Sequence, residues 1–115
     1  MRYLLHDEIA SALARGKSVE QFLGPGREAN TIHWLEVRPT DDQIELWSFE
    51  VEDVGNSEYI DLYSFPESDP PNDAPAGRAE TPSAAIELAQ SLFAASPNCW
   101  LNQGVIQDLY AASKA

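Results

Sequence analysis

A chain of 115 residues is long enough to form one domain that buries about two-thirds of its unfolded surface, so we expect a single domain over residues 1–115. Its hydrophobic content of 43% excludes wholesale disorder, and its one cysteine, Cys99, excludes an intramolecular disulfide and a cysteine-based zinc site within the chain. The net charge of −12 arises from 19 acidic and 7 basic residues, so this domain is strongly acidic.

Most of the excess negative charge lies in the middle of the chain. Residues 31–80 carry thirteen acidic and only two basic side chains, whereas residues 1–30 carry four of each. A negative field repels phosphate backbones, so we expect no direct nucleic-acid binding. It attracts a basic protein surface and speeds encounter with it, so the charge favours a basic protein as the partner.

No segment of the sequence predicts secretion or membrane insertion. The N-terminal residues lack the apolar run of a signal peptide, and no stretch approaches the roughly 18 apolar residues of a membrane span. We therefore expect a cytoplasmic protein that does not enter a membrane.

Two helices are predicted at the N-terminal end. The first covers residues 5–15, and Gly16 suits the position after its last turn. Its apolar stripe comprises Leu5, Ile9, Ala12 and Leu13. A second, shorter helix is predicted at residues 18–23, because Ser18 and Gln21 stand three apart as in a capping box, and Gly24-Pro25-Gly26 ends it.

Three strands are predicted next, at residues 31–38, 44–54 and 58–65, because apolar and polar residues alternate in each. In the middle strand, Ile44 and Leu46 lie on one face, whereas the apolar residues that follow, Trp47, Phe49 and Val51, lie on the other. Such a change predicts either a bulge or a strand that is covered on both sides. The short connections predict antiparallel pairing.

The C-terminal part is predicted to be helical after a loop. Residues 66–80 contain four prolines, which predicts a stretch without strand or helix. Thr81 as N-cap and Pro82 as first helical residue then begin a helix that reaches about Ala95. The apolar stripe of this helix comprises Ile86, Ala89, Leu92 and Phe93. A last helix is predicted to begin near Asn102, with Trp100 and Leu101 buried before it and Val105, Ile106, Leu109 and Tyr110 facing inward.

These elements predict an α+β fold in the order α-α-β-β-β-α-α. A three-stranded antiparallel β-meander is expected to pack with two N-terminal and two C-terminal helices, since such a sheet needs at least one face covered.

Cys99 and the two histidines, His6 and His33, are the candidates for a nucleophile and a base. No family signature surrounds Cys99, and a single cysteine beside a tryptophan is typical of a small buried residue. His33 is predicted to be a half-exposed strand residue and His6 a solvated residue at the start of the first helix. The sequence therefore favours a non-catalytic protein.

Two groups of oxygen ligands are candidates for a metal site: Asp41 with Asp42, and Asp69 with Asn72 and Asp73. Neither group follows the spacing of an EF-hand loop. The Gly24-Pro25-Gly26 run lacks the lysine of a P-loop and the third glycine of a dinucleotide-binding fingerprint. We therefore expect neither a metal nor a cofactor.

Carboxylates and aromatic residues are interleaved through the second and third predicted strands. Glu50 and Glu52 fall on one face of their strand, and aromatic anchors within a charged rim are typical of tight protein interfaces. The alternative interpretation is that the aromatic residues form the core, while the acids keep the protein soluble and protect a sheet edge. The residues predicted to bind a partner are Glu45, Trp47, Glu50, Glu52, Glu58, Tyr59 and Asp61.

The sequence thus predicts a small non-catalytic module, a monomer or homodimer, that presents an acidic sheet surface to a basic partner protein, as an inhibitor does. In size and charge it is similar to bacterial immunity proteins and antitoxins, a similarity of composition that covers no motif. Two alternatives stay open. One is an enzyme whose histidine or carboxylate site is not readable from the sequence, and the other is an accessory subunit or homodimer closed by exposed aromatic residues.

Overall fold

The structure is a computed structural model that describes residues 2–68 and 74–114. Within those residues the chain forms an α+β fold with three α-helices and one five-stranded antiparallel sheet of strand order β4-β3-β2-β1-β5. In chain order the elements are α1 (His6–Ala14), β1 (Val19–Pro25), β2 (Thr31–Pro39), β3 (Ile44–Glu52), a 3₁₀ turn (Leu62–Ser64), β4 (Gly77–Ala79), α2 (Pro82–Phe93), β5 (Leu101–Asn102) and α3 (Ile106–Ser113). The predicted α+β class is confirmed, whereas the predicted three-stranded meander with four helices is wrong in the number and order of elements.

Both faces of the sheet are covered, so the molecule has two hydrophobic layers. On β2, Leu35 and Val37 enter the layer shared with α1 and α2, which we call the two-helix face. Ile32 and Trp34 enter the other layer, shared with α3 and the 3₁₀ turn, which we call the α3 face. β2 and β3 pair without a register shift, so the phase change in β3 reflects a strand covered on both sides rather than a bulge.

Residues 18–23, predicted as a helix, belong to β1 and the turn before it. β1 pairs with β2 on one side and with β5 on the other. The Ser18 hydroxyl donates to Glu36 Oε2 at 2.7 Å instead of capping a helix. Val19, Glu20 and Gln21 are all buried, because successive side chains of a strand enter opposite layers. Pairing with strands that are distant in sequence therefore overrides a weak local helix signal.

Residues 58–65, predicted as the third strand, form a loop that contains the 3₁₀ turn. The Asn56 side chain accepts hydrogen bonds from the backbone N–H groups of Glu58 and Tyr59, at 2.8 and 3.0 Å, and forms a turn at the start of this loop. Leu62 and Phe65 are three residues apart and both are buried in the α3-face layer. A 3₁₀ turn brings residues at that spacing to one side, so burial is achieved without strand pairing.

The segment 66–80 is predicted to hold no strand, and this is wrong at its C-terminal end. β4 pairs with β3 and forms the edge of the sheet. Gly77 allows α2 to pack closely on this strand, since a Cβ at Gly77 would lie 2.7 Å from Leu88 Cδ2. Residues 69–73 of the predicted loop lie outside the described residues.

α1 and α2 lie where the sequence predicts them. Thr81 caps α2 by accepting a hydrogen bond from the Ala84 N–H at 3.1 Å, and Pro82 is its first residue. Two members of the predicted apolar stripes are exposed instead, since Leu5 retains 67% and Leu92 51% of its accessible surface. Of the helices in residues 2–68 and 74–114, none has both the length and the apolar character needed to cross a membrane.

The last helix begins later than predicted. Leu101 and Asn102 pair with β1 as β5, and α3 begins at Ile106. The predicted burial of Trp100 and Leu101 is confirmed, because 0% and 1% of their surfaces are exposed. Ile106 and Tyr110 of α3 are also fully buried.

We expect Trp100→Ala to reduce the free energy of unfolding by about 3–5 kcal/mol, because it leaves a large cavity in the two-helix layer. Leu92→Ala, on the exposed side of α2, is the matched control and should change stability by less than about 0.5 kcal/mol. Urea denaturation followed by circular dichroism measures both. Equal losses in the two variants would contradict the assignment of Trp100 to the core.

Candidate functional site

The seven residues predicted to bind a partner lie in three different places. Glu45 and Trp47 point to the α3 face, whereas Glu50 and Glu52 point to the two-helix face, because residues of opposite parity on β3 leave the sheet on opposite sides. Glu58, Tyr59 and Asp61 lie in the loop between β3 and the 3₁₀ turn. The structure therefore does not bring all seven side chains onto one face of the sheet.

Glu45 and Trp47 are engaged in contacts within the protein. The Trp47 Nε1–H donates to Glu45 Oε1 at 3.0 Å, and the Arg38 guanidinium lies 4.3 Å from the centroid of the Trp47 ring. Glu45 Oε2 lies 3.6 Å from Arg78 Nε on the neighbouring edge strand. These contacts neutralise Glu45 locally and hold Trp47 against the sheet.

Glu50 is an internal group, with only 8% of its surface exposed. Its Oε1 accepts a hydrogen bond from the backbone N–H of Arg27 at 2.9 Å and lies 3.8 Å from Arg27 Nε. Glu50 therefore fixes the β1–β2 connection against β3 and is not part of an open acidic surface.

The remaining predicted residues belong to an acidic region at one end of the β2–β3 hairpin. Glu52 lines an open groove of about 550 Å³ with Asp53 and with two carboxylates that the sequence interpretation did not include, Glu28 and Glu67. The loop that carries Glu58, Tyr59 and Asp61 starts at this groove, and Val54 and Tyr59 in it are 49% and 45% exposed. We call this region the acidic end; it comprises Glu28, Glu52, Asp53, Val54, Glu58, Tyr59, Asp61 and Glu67.

The loop of the acidic end is anchored to the fold. The Gly55 N–H donates to the Tyr110 hydroxyl at 3.0 Å, and that hydroxyl donates to Asp53. The Tyr59 ring packs edge-on against Phe65, with the ring centroids 5.1 Å apart. Glu28 and Glu67 escaped the sequence interpretation because it contained neither the β1–β2 hairpin nor the bridge between Val51 and Glu67.

A second group of carboxylates, also missed by the sequence interpretation, is buried on the α3 face. Glu20 and Glu36 lie directly opposite each other on β1 and β2, with 0% and 5% of their surfaces exposed. Glu36 accepts from Arg38 Nε and Nη2 at 3.0 and 2.8 Å. Glu20 Oε1 accepts from the Tyr63 hydroxyl at 2.7 Å and from the Gly104 N–H at 2.8 Å.

The environment of Glu20 disfavours its charged form. Burial raises the pKa of Glu20, and the hydrogen bonds from Gly104 and Tyr63 only partly oppose that rise, while the charge of Glu36 adds to it. Within the described residues, Glu20 Oε2 is buried without a hydrogen-bond partner. Two like charges directly opposite on neighbouring strands also destabilise a sheet. The pair therefore costs folding free energy whenever both carboxylates are ionised.

No hydrogen-bonded nucleophile–base pair forms among Cys99, His6 and His33 within the described residues. Cys99 is half-buried beside Trp100 and shares no hydrogen bond with either histidine among the described residues. His33 Nε2 lies 2.7 Å from Ser48 Oγ, and its ring meets Phe93 edge-on at 5.6 Å. Burial lowers the pKa of His33, so this imidazole is neutral at neutral pH. His6 is exposed at the first turn of α1.

Of the predicted metal candidates, Asp41 and Asp42 lie within the described residues. Asp41 and Asp42 are exposed in the turn between β2 and β3, and Asp69, Asn72 and Asp73 lie outside the described residues. In the parts of the chain that the structure describes, no three histidine, cysteine or carboxylate side chains are grouped so as to hold a metal ion.

No protein-family model matches the chain, and neither a curated protein nor a solved structure matches it significantly.

We expect Glu20→Gln to gain stability relative to the wild type as the pH rises. The pKa of Glu20 is higher in the folded than in the unfolded protein, so the wild type loses stability as the pH rises from about 4.5 through the folded-state pKa. The glutamine side chain does not ionise, so this position adds no pH dependence to the stability of the variant. Each unit of difference between the folded and unfolded pKa of Glu20 corresponds to about 1.4 kcal/mol of unfolding free energy. Urea denaturation of both proteins between pH 4 and 8 measures the difference, and a difference independent of pH would contradict the assignment.

Proposed function

We propose that the protein is a non-catalytic binding module that docks its acidic end onto a basic surface of a partner protein. The observation that carries the proposal is the groove that Glu28, Glu52, Asp53 and Glu67 line together with the exposed Val54, followed in the chain by a loop that carries Glu58 and the exposed Tyr59. Glu45, Trp47 and Glu50 take no part in the proposal, because their side chains are engaged in contacts within the fold.

The charge of the acidic end supports a basic partner. Lys114 pairs with Asp53, and Arg27 lies beside Glu50 at the edge of the region. Glu28, Glu52 and Glu58 are exposed and belong to no ion pair among the described residues. Exposed charges interact over a Debye length of about 10 Å at 0.1 M salt, which makes such a region effective in steering a cationic surface towards it. Steering raises the association rate and loses strength as salt is added.

The apolar residues of the acidic end contribute affinity, whereas its charges mainly raise the association rate. A few residues at the centre of an interface contribute most of the affinity, and tyrosine is enriched among them, with charged residues as the rim. The Tyr59 ring rests on Phe65, and Asn56 holds the backbone of the loop. Because the loop is held in place before binding, little conformational entropy is lost on association.

The proposal predicts that the double variant Glu52→Lys/Glu58→Lys loses binding to the partner while its stability is preserved, since both side chains are exposed. The immobilised protein is used to capture proteins from a native lysate at about 50 mM salt, and the captured protein is then measured by surface plasmon resonance. We expect an association rate at least about tenfold slower for the double variant, and release of the wild-type complex as salt rises to about 300 mM.

The matched control is Asp41→Lys/Asp42→Lys, which makes the same change in net charge at the other end of the β2–β3 hairpin. It should retain capture and an association rate within about twofold of the wild type, because steering depends on charge near the interface. Equal loss in the two double variants would indicate unspecific attraction to a negative protein and contradict the proposal. Capture that does not respond to salt would contradict it as well.

A further inference from the structure

A second cavity, which we call the aromatic cavity, adjoins the groove of the acidic end. It has a volume of about 260 Å³ and is lined by residues of β2, of β3 and of the segment that contains the 3₁₀ turn. The apolar residues of its lining are Trp34, Phe49, Val51, Leu62 and Phe65. Glu67 lines both the aromatic cavity and the groove, so one segment of a partner protein can reach both sites at once.

Phe49 and Tyr63 give the aromatic cavity accessible walls. Phe49 is half-buried, and Tyr63 is 47% exposed. The Phe49 ring stacks with the rings of Trp34 and Trp47, with centroids 5.4 and 6.0 Å away and planes 25° and 9° from parallel. Tyr63 meets Trp34 edge-on at 5.9 Å. These contacts fix the walls before binding, and a further ring gains both area burial and favourable ring geometry from them.

The charged residues of the cavity lining disfavour an ion inside it. Both oxygens of Glu36 accept hydrogen bonds from Arg38, and its Oε2 also accepts one from Ser18. A cation in the cavity would lose hydration beside the Arg38 guanidinium and find the oxygens of Glu36 already bonded. An anion is repelled by a protein with a net charge of −12. The cavity therefore favours an uncharged side chain.

The groove that shares Glu67 with the cavity has the opposite preference. Glu28 and Glu52 line it, are exposed and belong to no ion pair among the described residues. Because the groove is open, a basic side chain can approach these carboxylates while it stays largely hydrated. The two neighbouring sites therefore favour different side chains, an uncharged aromatic one in the cavity and basic ones in the groove.

From this arrangement we infer that the partner protein docks through a segment that places an uncharged aromatic side chain in the aromatic cavity and basic residues in the groove of the acidic end. An apolar cavity of about 150 Å³ holds one benzene ring, so about 260 Å³ has room for one aromatic side chain. An aromatic anchor in a pocket beside a charged rim is the usual arrangement of a tight interface. The inference rests on the proposed function, because it names the chemistry of the partner surface that binds the acidic end.

A synthetic peptide tests the inference without the partner protein. Its sequence is Arg-Lys-Arg-Gly-Phe-Gly-Arg-Lys-Arg, with basic residues on both sides of the phenylalanine so that either chain direction can bind. Its dissociation constant for the wild-type protein is measured by NMR titration at about 50 mM salt. We expect the peptides in which alanine or arginine replaces the phenylalanine to bind at least about fivefold more weakly, because neither places a ring in the cavity.

The methyl groups of Val51 and Leu62 report whether the phenylalanine ring enters the cavity that both residues line. An aromatic ring changes the chemical shift of a nearby methyl group. In protein with ¹³C-labelled methyl groups, we expect the phenylalanine peptide to shift these signals saturably and the alanine peptide to leave them in place. Val19, buried in the two-helix layer, is the internal control.

A pair of protein variants tests the cavity wall. Phe49→Leu removes the half-buried ring of the wall and keeps an apolar side chain, so the phenylalanine and alanine peptides should bind to it within about twofold of each other. Phe93→Leu, which removes a half-buried ring on the two-helix face, is the matched control and should preserve the difference of at least about fivefold. Thermal unfolding of both variants is measured in parallel.

The outcomes separate the inference from the proposed function on which it rests. Equal binding of the phenylalanine and alanine peptides, equal or tighter binding of the arginine peptide, or unchanged Val51 and Leu62 signals would overturn the inference. The proposed docking of the acidic end stands in those cases if Glu52→Lys/Glu58→Lys still weakens peptide binding. Equal binding of the phenylalanine peptide to the wild type and to this double variant would contradict the proposed function. If no peptide binds while capture from the lysate succeeds, the inference alone is overturned.

Discussion

The pairing of β2 with β1 on one side and β3 on the other fixes which face of the sheet each charged residue of these three strands occupies. β2 is buried on both faces, so its alternate residues supply two separate layers: Leu35 and Val37 to one, Ile32 and Trp34 to the other. Because the register with β3 is continuous, each residue of β3 is assigned to a face by its parity. A register shift of one residue between β2 and β3 would turn each side chain of β3 to the opposite face of the sheet and so exchange acidic and apolar residues between the two layers.

This constraint divides the carboxylates into internal and external groups. Glu20, Glu36 and Glu50 are buried, each with a hydrogen-bond donor from the protein, and they contribute little to the field outside. Burial of charged groups is costly unless they are paired, and Glu20 is paired only on one oxygen. Glu20, Glu36 and the indole of Trp34 are all buried on the same face of the sheet.

The comparison of prediction and structure is clearest at particular elements. Thr81-Pro82 gave a correct helix start, because an N-cap oxygen and a fixed φ angle act within a few residues. Ser18 and Gln21 gave a false one, since a short segment with two polar residues fits a helix or a strand equally well locally. Residues 58–65 alternate as a strand does, but β4 and not this segment occupies the edge of β3. The predicted set of binding residues omitted Glu28 and combined Glu45 with Glu50, although these two lie on opposite faces of β3. Both differences arise because the pairing of distant segments cannot be derived from local alternation.

The sequence by itself determined the composition of the molecule: its acidity, the α+β class, the two long helices' positions and the burial of Trp100 and Leu101. These properties depend on the summed charges and hydrophobicity of the side chains, or on residues within one or two helical turns along the chain. Only the tertiary structure decided which carboxylates face solvent, that β1 is a strand, and that Trp34 borders a cavity. These depend on contacts between residues far apart in the chain, and local periodicity carries no information about which distant strand a segment will pair with.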